Sequence, residues 1–224
     1  MQSGSCSPQP VVSPNLEGRF LGELDKVGFP ASILPSGASA HEQLDSLIQE
    51  LEASSPIPNP LHADGAAAHP LLFGTWKLVF ASNGTVVTRT AGAQALVAAS
   101  LVPGVGLRDI QQELSDSQGA IRTTNSVIFG LFLLGEWNAT IYGTWLVESQ
   151  DLALVSFEGY SVQLVGAFGW RPLQQEFLKV KIPLPEAARQ RSAEFRTTYL
   201  SQQLRIARGS TGNVFAFVRQ PPLS

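Results

Sequence analysis

The spacing of apolar residues changes once along this chain. Up to residue 53 they recur at helical spacing, and from Phe73 onward they recur at every second position. Leu16, Phe20, Leu24 and Val27 share one face of a predicted helix. Ser13-Pro14 opens it, serine as cap and proline in the first turn, and Gly28 and Pro30 end it. Ser39 and Glu42 have capping-box spacing, and behind them Leu44, Leu47, Ile48 and Leu51 form one apolar stripe. Pro56, Pro58, Pro60 and Pro70 then break the chain into an irregular connector.

Strands follow. In Leu71–Ser82 a Gly-Thr-Trp leads into alternation, with Trp76, Leu78 and Phe80 on one face and Lys77, Val79 and Ala81 on the other. Leu107–Ser115 and Ala120–Phe129 alternate on either side of the turn SDSQGA. Trp137, Ala139, Ile141, Trp145 and Val147 share a face of the next strand, and Ala153, Val155 and Phe157 a face of another. Ser161–Phe168 and Phe177–Ile182 are further strands. Thr197–Ala207 and Val214–Arg219 are joined by RGSTGN, whose glycines suit a hairpin loop. Thr90–Leu101 reads as a short capping helix and Glu186–Phe195 as a weaker one. Four segments result: an arm (1–14), a helical part (15–53), a connector (54–70) and a strand domain (71–220). Hairpin-sized links imply an antiparallel meander of about eight strands, and rolling it into a β-barrel removes its exposed edges.

Composition narrows the function classes. Of 224 residues 44% are hydrophobic and only 15% charged, below the usual quarter, which suits a protein that handles something apolar. Scattered basic residues and a net charge of −3 argue against nucleic acid. The single cysteine, Cys6, excludes an internal disulfide, and the N-terminus shows no secretory or transit signal. The apolar runs Val127–Leu134 and Ala91–Leu107 are too short or too broken by Pro103 and glycine to form a membrane-spanning helix.

Catalytic and metal chemistry find no foothold. His41, His62 and His69 all precede the strands, so neither a histidine triad nor a histidine metal site is expected inside the barrel. Gly104-Val-Gly106 lacks the third glycine of a dinucleotide loop. Asp109, Glu113, Glu136, Glu148 and Glu158 show no pair spacing. The Asn-x-Thr triplets at Asn83 and Asn138 carry no weight without a secretory signal. The expectation is a protein that is not an enzyme and has no cofactor or metal.

Gly-x-Trp at the start of a first strand is the opening of lipocalin-like barrels, where the indole plugs one end and an arginine of the last strand packs on it. Arg219 is the expected partner, with Arg205 as substitute. An eight-stranded barrel either fills with its own side chains or holds one small ligand, which the sequence does not separate; in the second case Phe80, Trp137, Trp145, Phe157, Tyr199, Phe215 and Phe217 are the aromatics that would line the cavity. Gln112, Thr123, Asn125, Thr140 and Tyr142 would orient a ligand where they face inward.

Four stretches resemble the plastid lipid-associated proteins, also called plastid fibrillins: LDSLIQELEASSPIPNPL (Leu44–Leu61), the Gly-x-Trp strand Leu71–Ser82, FEGYSVQLVGAFGW (Phe157–Trp170) and FRTTYLSQQLRIARGSTGNVFAFVR (Phe195–Arg219). The last is the most specific. The resemblance covers most of Leu16–Arg219. It implies a lipocalin-like barrel in plastids, on plastoglobules or thylakoids or in stroma. It also implies binding of isoprenoids, quinones, carotenoids, tocopherols or fatty acids. Alternative roles are a non-catalytic coat of lipid globules, or an adaptor for a prenyl diphosphate synthase through the N-terminal helices. The family commonly carries acidic residues after Thr-Tyr-Leu, where this chain has Ser201, Gln202 and Gln203; the Arg205 and Arg208 positions match.

Overall fold

A computed structural model describes residues 14–34, 42–61, 68–85, 104–166, 179–183 and 192–221. Two helices, α1 (Pro14–Val27) and α2 (Glu42–Ala53), precede the strands β1 (Gly74–Ala81), β2 (Gly106–Ser117), β3 (Ala120–Leu131), β4 (Gly135–Val147), β5 (Leu152–Gly166), β6 (Lys179–Pro183), β7 (Ser192–Leu200), β8 (Leu204–Gly209) and β9 (Val214–Arg219). All pairings are antiparallel. The order β4-β3-β2-β1-β9-β8-β7-β5 closes through β4–β5 into a ring of eight strands, a lipocalin-like barrel. On the edge away from β4, β5 serves two further partners: Leu152–Ser156 pairs with β7, and Gly159–Gln163 with β6.

Several sequence expectations change. Ala153–Phe157 and Ser161–Phe168 are not separate strands, since β5 runs from Leu152 through Gly166. A register shift where Tyr142 meets Gly159 and Gly143 meets Phe157 leaves Glu158 as an extra residue and switches the alternation there. Thr197–Ala207 is two strands: Ser201 turns the chain, its hydroxyl accepting from the backbone N–H groups of Gln203 and Leu204 (3.2 and 3.0 Å). Ser192–Phe195 is strand, not the end of a helix, because it pairs with β5. The expected helix Thr90–Leu101, the remainder of Glu186–Phe195, Cys6, Ser13, Ser39, His41 and His62 lie outside the described residues.

Two apolar clusters share the sheet. Inside the ring, Trp76, Leu78, Ala81, Ile110, Leu114, Ile121, Trp145, Val155 and Phe217 pack with Ile33, Leu61 and Leu72 from the segments before β1. Outside it, Phe20 and Leu24 of α1 and the stripe Leu44, Leu47, Ile48 and Leu51 of α2 cover Phe80, Tyr199, Leu204, Ile206, Val214 and Ala216. The helices' apolar stripes are therefore spent on the barrel's own outer wall. Glu52 fastens α2 there, accepting 2.7 Å bonds from Arg208 Nε, Arg208 Nη2 and the Thr198 hydroxyl.

Bulges supply the outward-facing aromatics. The β1–β9 register shifts between Leu78 and Phe80, and β7–β8 between Thr197 and Tyr199. One extra residue inverts every later side chain. Phe80 and Tyr199, expected inside, thus point at the helices, while Ala81 and Leu200 turn in.

The Tyr199 hydroxyl donates to Glu17 Oε1 at 2.6 Å, tying β7 to α1. Burial first, then this bond and the charge of Glu17, raise the phenol well above its ordinary 10.0. Because the folded-state value is raised, the stabilisation is fully present below pH 10 and is lost as pH climbs toward the folded value. Tyr199→Phe should lower stability at neutral pH by about 1–2 kcal/mol. The gap between wild type and variant should narrow in denaturant melts above about pH 10. A gap that stays constant through that range would show that the phenol proton does not hold α1.

Candidate ligand cavity

Trp76 closes one end of the ring. Its ring is fully buried and its Nε1 donates to the Leu72 carbonyl at 2.9 Å. The Arg219 guanidinium lies 4.1 Å from the ring centre. That same guanidinium donates to three carbonyls: from Nη1 to Phe73 (2.8 Å), from Nε to Gln202 (2.8 Å) and from Nη2 to Leu71. Gly74 is required by this clamp. Its φ is +121°, and a Cβ there would stand 2.8 Å from Arg219 Nη1. The glycine of Gly-x-Trp thus makes room for the arginine that holds the tryptophan.

Arg205 is the second cation at this end. It is completely buried, with its guanidinium 4.3 Å from the Phe217 ring, 5.2 Å from Trp76 and 5.9 Å from Trp145. Nη2 donates to Gln112 Oε1, and Gln112 Nε2 donates to Asn125 Oδ1 at 2.8 Å. Burial, and secondarily the charge of Arg219, pushes its pKa down to about 9, so it is still a cation at neutral pH.

Above this floor lies a cavity of about 560 Å³. Its wall is built by Leu78, Leu107, Ile110, Val127, Phe129, Ala139, Ile141, Val155, Phe157, Phe195, Phe215 and Phe217, with Gln112 and Asn125 as its deep polar members. Thr85, Glu194, Ser210, Thr211 and Asn213 line it at the opposite end, where the β8–β9 hairpin turns. The volume is typical of small-molecule sites, which are likewise apolar with a few placed polar groups.

Of the residues expected to line this space, Phe157, Phe215 and Phe217 do. Trp76, Trp145 and Arg205 form the packed floor beneath it, and Arg219 clamps the plug. Trp137 sits toward the mouth, paired with Phe129 and donating from Nε1 to the Leu134 carbonyl at 2.9 Å. Tyr142 is off the cavity wall, its hydroxyl 3.1 Å from Ser161 Oγ. Phe80 and Tyr199 lie under the helices. Among the expected polar residues, Gln112 and Asn125 line the cavity, and Thr123 falls on their face by register. Thr140 and Tyr142 alternate with the inward Ala139 and Ile141 and face out. Sequence reasoning missed Phe195 and Phe129 as cavity residues. Phe195 stacks on Phe215 at 5.7 Å, and the helix expected over its segment hid its strand pattern.

Other candidates play structural parts. His69 Nδ1 accepts from the Leu71 N–H at 3.2 Å and caps a single turn before β1. Asp109 pairs with Lys77, and Glu158 with Arg122 and Thr144. Among the described residues no group of three metal-ligating side chains occurs, and no helix is long and apolar enough to cross a membrane. Ser201, Gln202 and Gln203, the departure from the family's acidic pattern, form the β7–β8 turn at the plugged end, away from the cavity lining.

The PAP_fibrillin family model matches residues 34–218, which spans the connector and the whole ring. The chain belongs to the PAP_fibrillin family. A similar protein is the probable plastid-lipid-associated protein 3, chloroplastic, of Oryza sativa subsp. japonica, 27% identical over 87% of this chain. This chain matches only 55% of that relative's length. The family match begins inside the helical region, before α2, so α2 lies within the matched range.

Arg219→Met should remove the three carbonyl bonds and the cation above Trp76. A loss of about 2–3 kcal/mol is expected, with a red-shifted tryptophan emission as water reaches the indole. An unchanged melting temperature and spectrum would show that the plug holds without its cation.

Proposed function

We propose that this chain is a plastid lipid-associated protein that binds small hydrophobic molecules in its barrel. The observation that carries this reading is the 560 Å³ apolar cavity, plugged by Trp76 at one end and opening among loops at the other. Membership of the family and the relative's name support a lipid-handling role in the plastid. Burial of a ligand's apolar surface drives binding at about 25 cal/mol per Å². The ligand classes in view are isoprenoids, quinones, carotenoids and fatty-acyl chains. The chemistry asked of the site is sequestration.

A second reading, adsorption on plastoglobule or thylakoid lipid, has its own observation. Phe132, Leu133 and Leu134, in the β3–β4 turn, are 56%, 64% and 66% exposed. Three consecutive apolar side chains at a tight hairpin tip are unusual on a protein surface. The tip follows directly from Phe129 of the cavity wall, so a contacting lipid surface would lie at the mouth. The sequence run Val127–Leu134 divides here: Val127 and Phe129 line the cavity, and Phe132–Leu134 stand outside. Of the other run, Ala91–Leu107, residues 91–103 lie outside the described part and Leu107 lines the cavity. An adaptor role for a prenyl synthase would have to use the helices' polar faces, because their apolar stripes are covered.

Titration with a prenylquinone should quench tryptophan emission saturably in the wild type. Ala139→Phe, which fills the cavity from its wall, should weaken the apparent affinity by about tenfold. Absence of saturable quenching would reject the cavity reading. For the tip, the double change Leu133→Ser and Leu134→Ser should reduce co-flotation with phosphatidylcholine vesicles by about tenfold or more, as two exposed leucines lose their burial in lipid. Equal flotation of both proteins would reject this surface.

A further inference from the structure

The floor of the cavity has more hydrogen-bond donors than acceptors. Arg205 has five N–H donors and no acceptor. Only Nη2 has a partner; Nε and Nη1 have none, and neither has the nearby Trp145 Nε1. All these atoms are buried. Among the described residues no carboxylate pairs with Arg205, and its nearest charge partner is a second cation, Arg219. Cation–π contacts with Phe217 and Trp76 compensate part of the desolvation but satisfy no N–H. A buried charge left without a counter-ion is among the most costly arrangements in a folded chain.

Gln112 joins this cation to the cavity. Its Oε1 is the one acceptor Arg205 has, its Nε2 is held by Asn125, and both amides line the deep end of the space. Glu194, the charged residue of the lining itself, is exposed and belongs to the mouth. The wall therefore runs from an open rim, through an apolar barrel, to a cationic floor reached through one amide. The strand from Leu107 to Gln112 sets the depth at roughly 17 Å.

We infer that the cavity takes an amphiphile with an anionic, carboxylate-type head group, tail toward the mouth, whose head displaces the Gln112 carbonyl from Arg205 and supplies the missing counter-charge. This rests on the hydrophobic-cavity reading and narrows it: neutral isoprenoids and quinones fill the same walls but leave the cation unpaired. A carboxylate offers two oxygens in the planar geometry that guanidinium groups bind bidentately.

The test compares cis-parinaric acid with its methyl ester, both fluorescent once out of water, on the full chain. The ester keeps the tail and a carbonyl and lacks the charge. The acid should bind the wild type about tenfold or more tightly than the ester. Arg205→Met, with thermal melting as the check on folding, should bind both probes with equal affinity. Equal affinities in the wild type, or an acid preference that persists in Arg205→Met, would overturn the inference while ester binding keeps the cavity reading intact. Failure of both probes to bind the wild type would overturn both.

Discussion

The structure is organised around one indole that must be held at the end of a rolled sheet. Trp76 reaches this position because Gly74 leaves room for Arg219, and Arg219 in turn gathers the carbonyls of Leu71, Phe73 and Gln202. Those carbonyls come from the chain entering β1 and from the β7–β8 turn, so one guanidinium joins the first strand's entry to the barrel's closing strands. The plugged end then fills with Ile33, Leu61, Leu72, Leu114 and Ile121. With packing taken up there, the opposite end keeps unfilled volume. An eight-stranded ring is close to the size at which side chains alone fill the interior. Asymmetric filling is what leaves usable space.

The same sheet also supports an outer core. A regular strand with period two can present only one set of residues to each side. The bulges in β1 and β7 change sides midway, so each strand gives apolar residues both to the barrel interior and to the helix-facing surface. Phe80 and Tyr199 are the consequence. These two strands lie in the β1–β9–β8–β7 part of the ring, where α1 and α2 dock. Strands β2, β3 and β4, away from the helices, contribute no residue to the outer cluster.

Local pattern carried most of the fold. The helix stripes, the alternation in β2, β3, β4 and β9, and the Gly-x-Trp opening are short-range features that a single sequence displays. The bulges are not such features, because one inserted residue in an alternating run of apolar side chains leaves Phe80 and Tyr199 looking correctly placed for the interior. The reach of β5 was hidden for a related reason: the extra residue at Glu158 breaks the alternation between Phe157 and Ser161, and only pairing with β4, β6 and β7 shows that the chain stays extended. Within the site, the aromatic wall was half visible, and Gln112, Asn125 and Arg205 were visible as inward candidates but not as one linked group. Arg205 and Arg208 lie three apart in Leu-Arg-Ile-Ala-Arg, so alternation puts them on opposite faces without saying which faces in; Arg208 reaches Glu52 on the helix side and Arg205 lies against Phe217 inside. Gln112 meets Arg205 across a separation of 93 residues, which no local spacing encodes.

The two arginines beside Trp76 differ in what they cost. Arg219 is partly exposed and finds carbonyl acceptors, so its charge is solvated by protein and water together. Arg205 has one amide acceptor and aromatic faces, and an apolar residue of similar length would pack in its place without the desolvation of a charge. Fold stability alone therefore favours Arg219 and disfavours Arg205. Clamping the plug does not require the second cation, since Trp76 already has its hydrogen bond to Leu72 and its contact with Arg219. What Arg205 adds is a positive potential under an apolar space, in surroundings of low dielectric where it is weakly screened. On the inference above, a guest bearing an anionic head group would meet that potential, and its counter-charge would offset the desolvation of Arg205 and stabilise the filled barrel over the empty one by linkage.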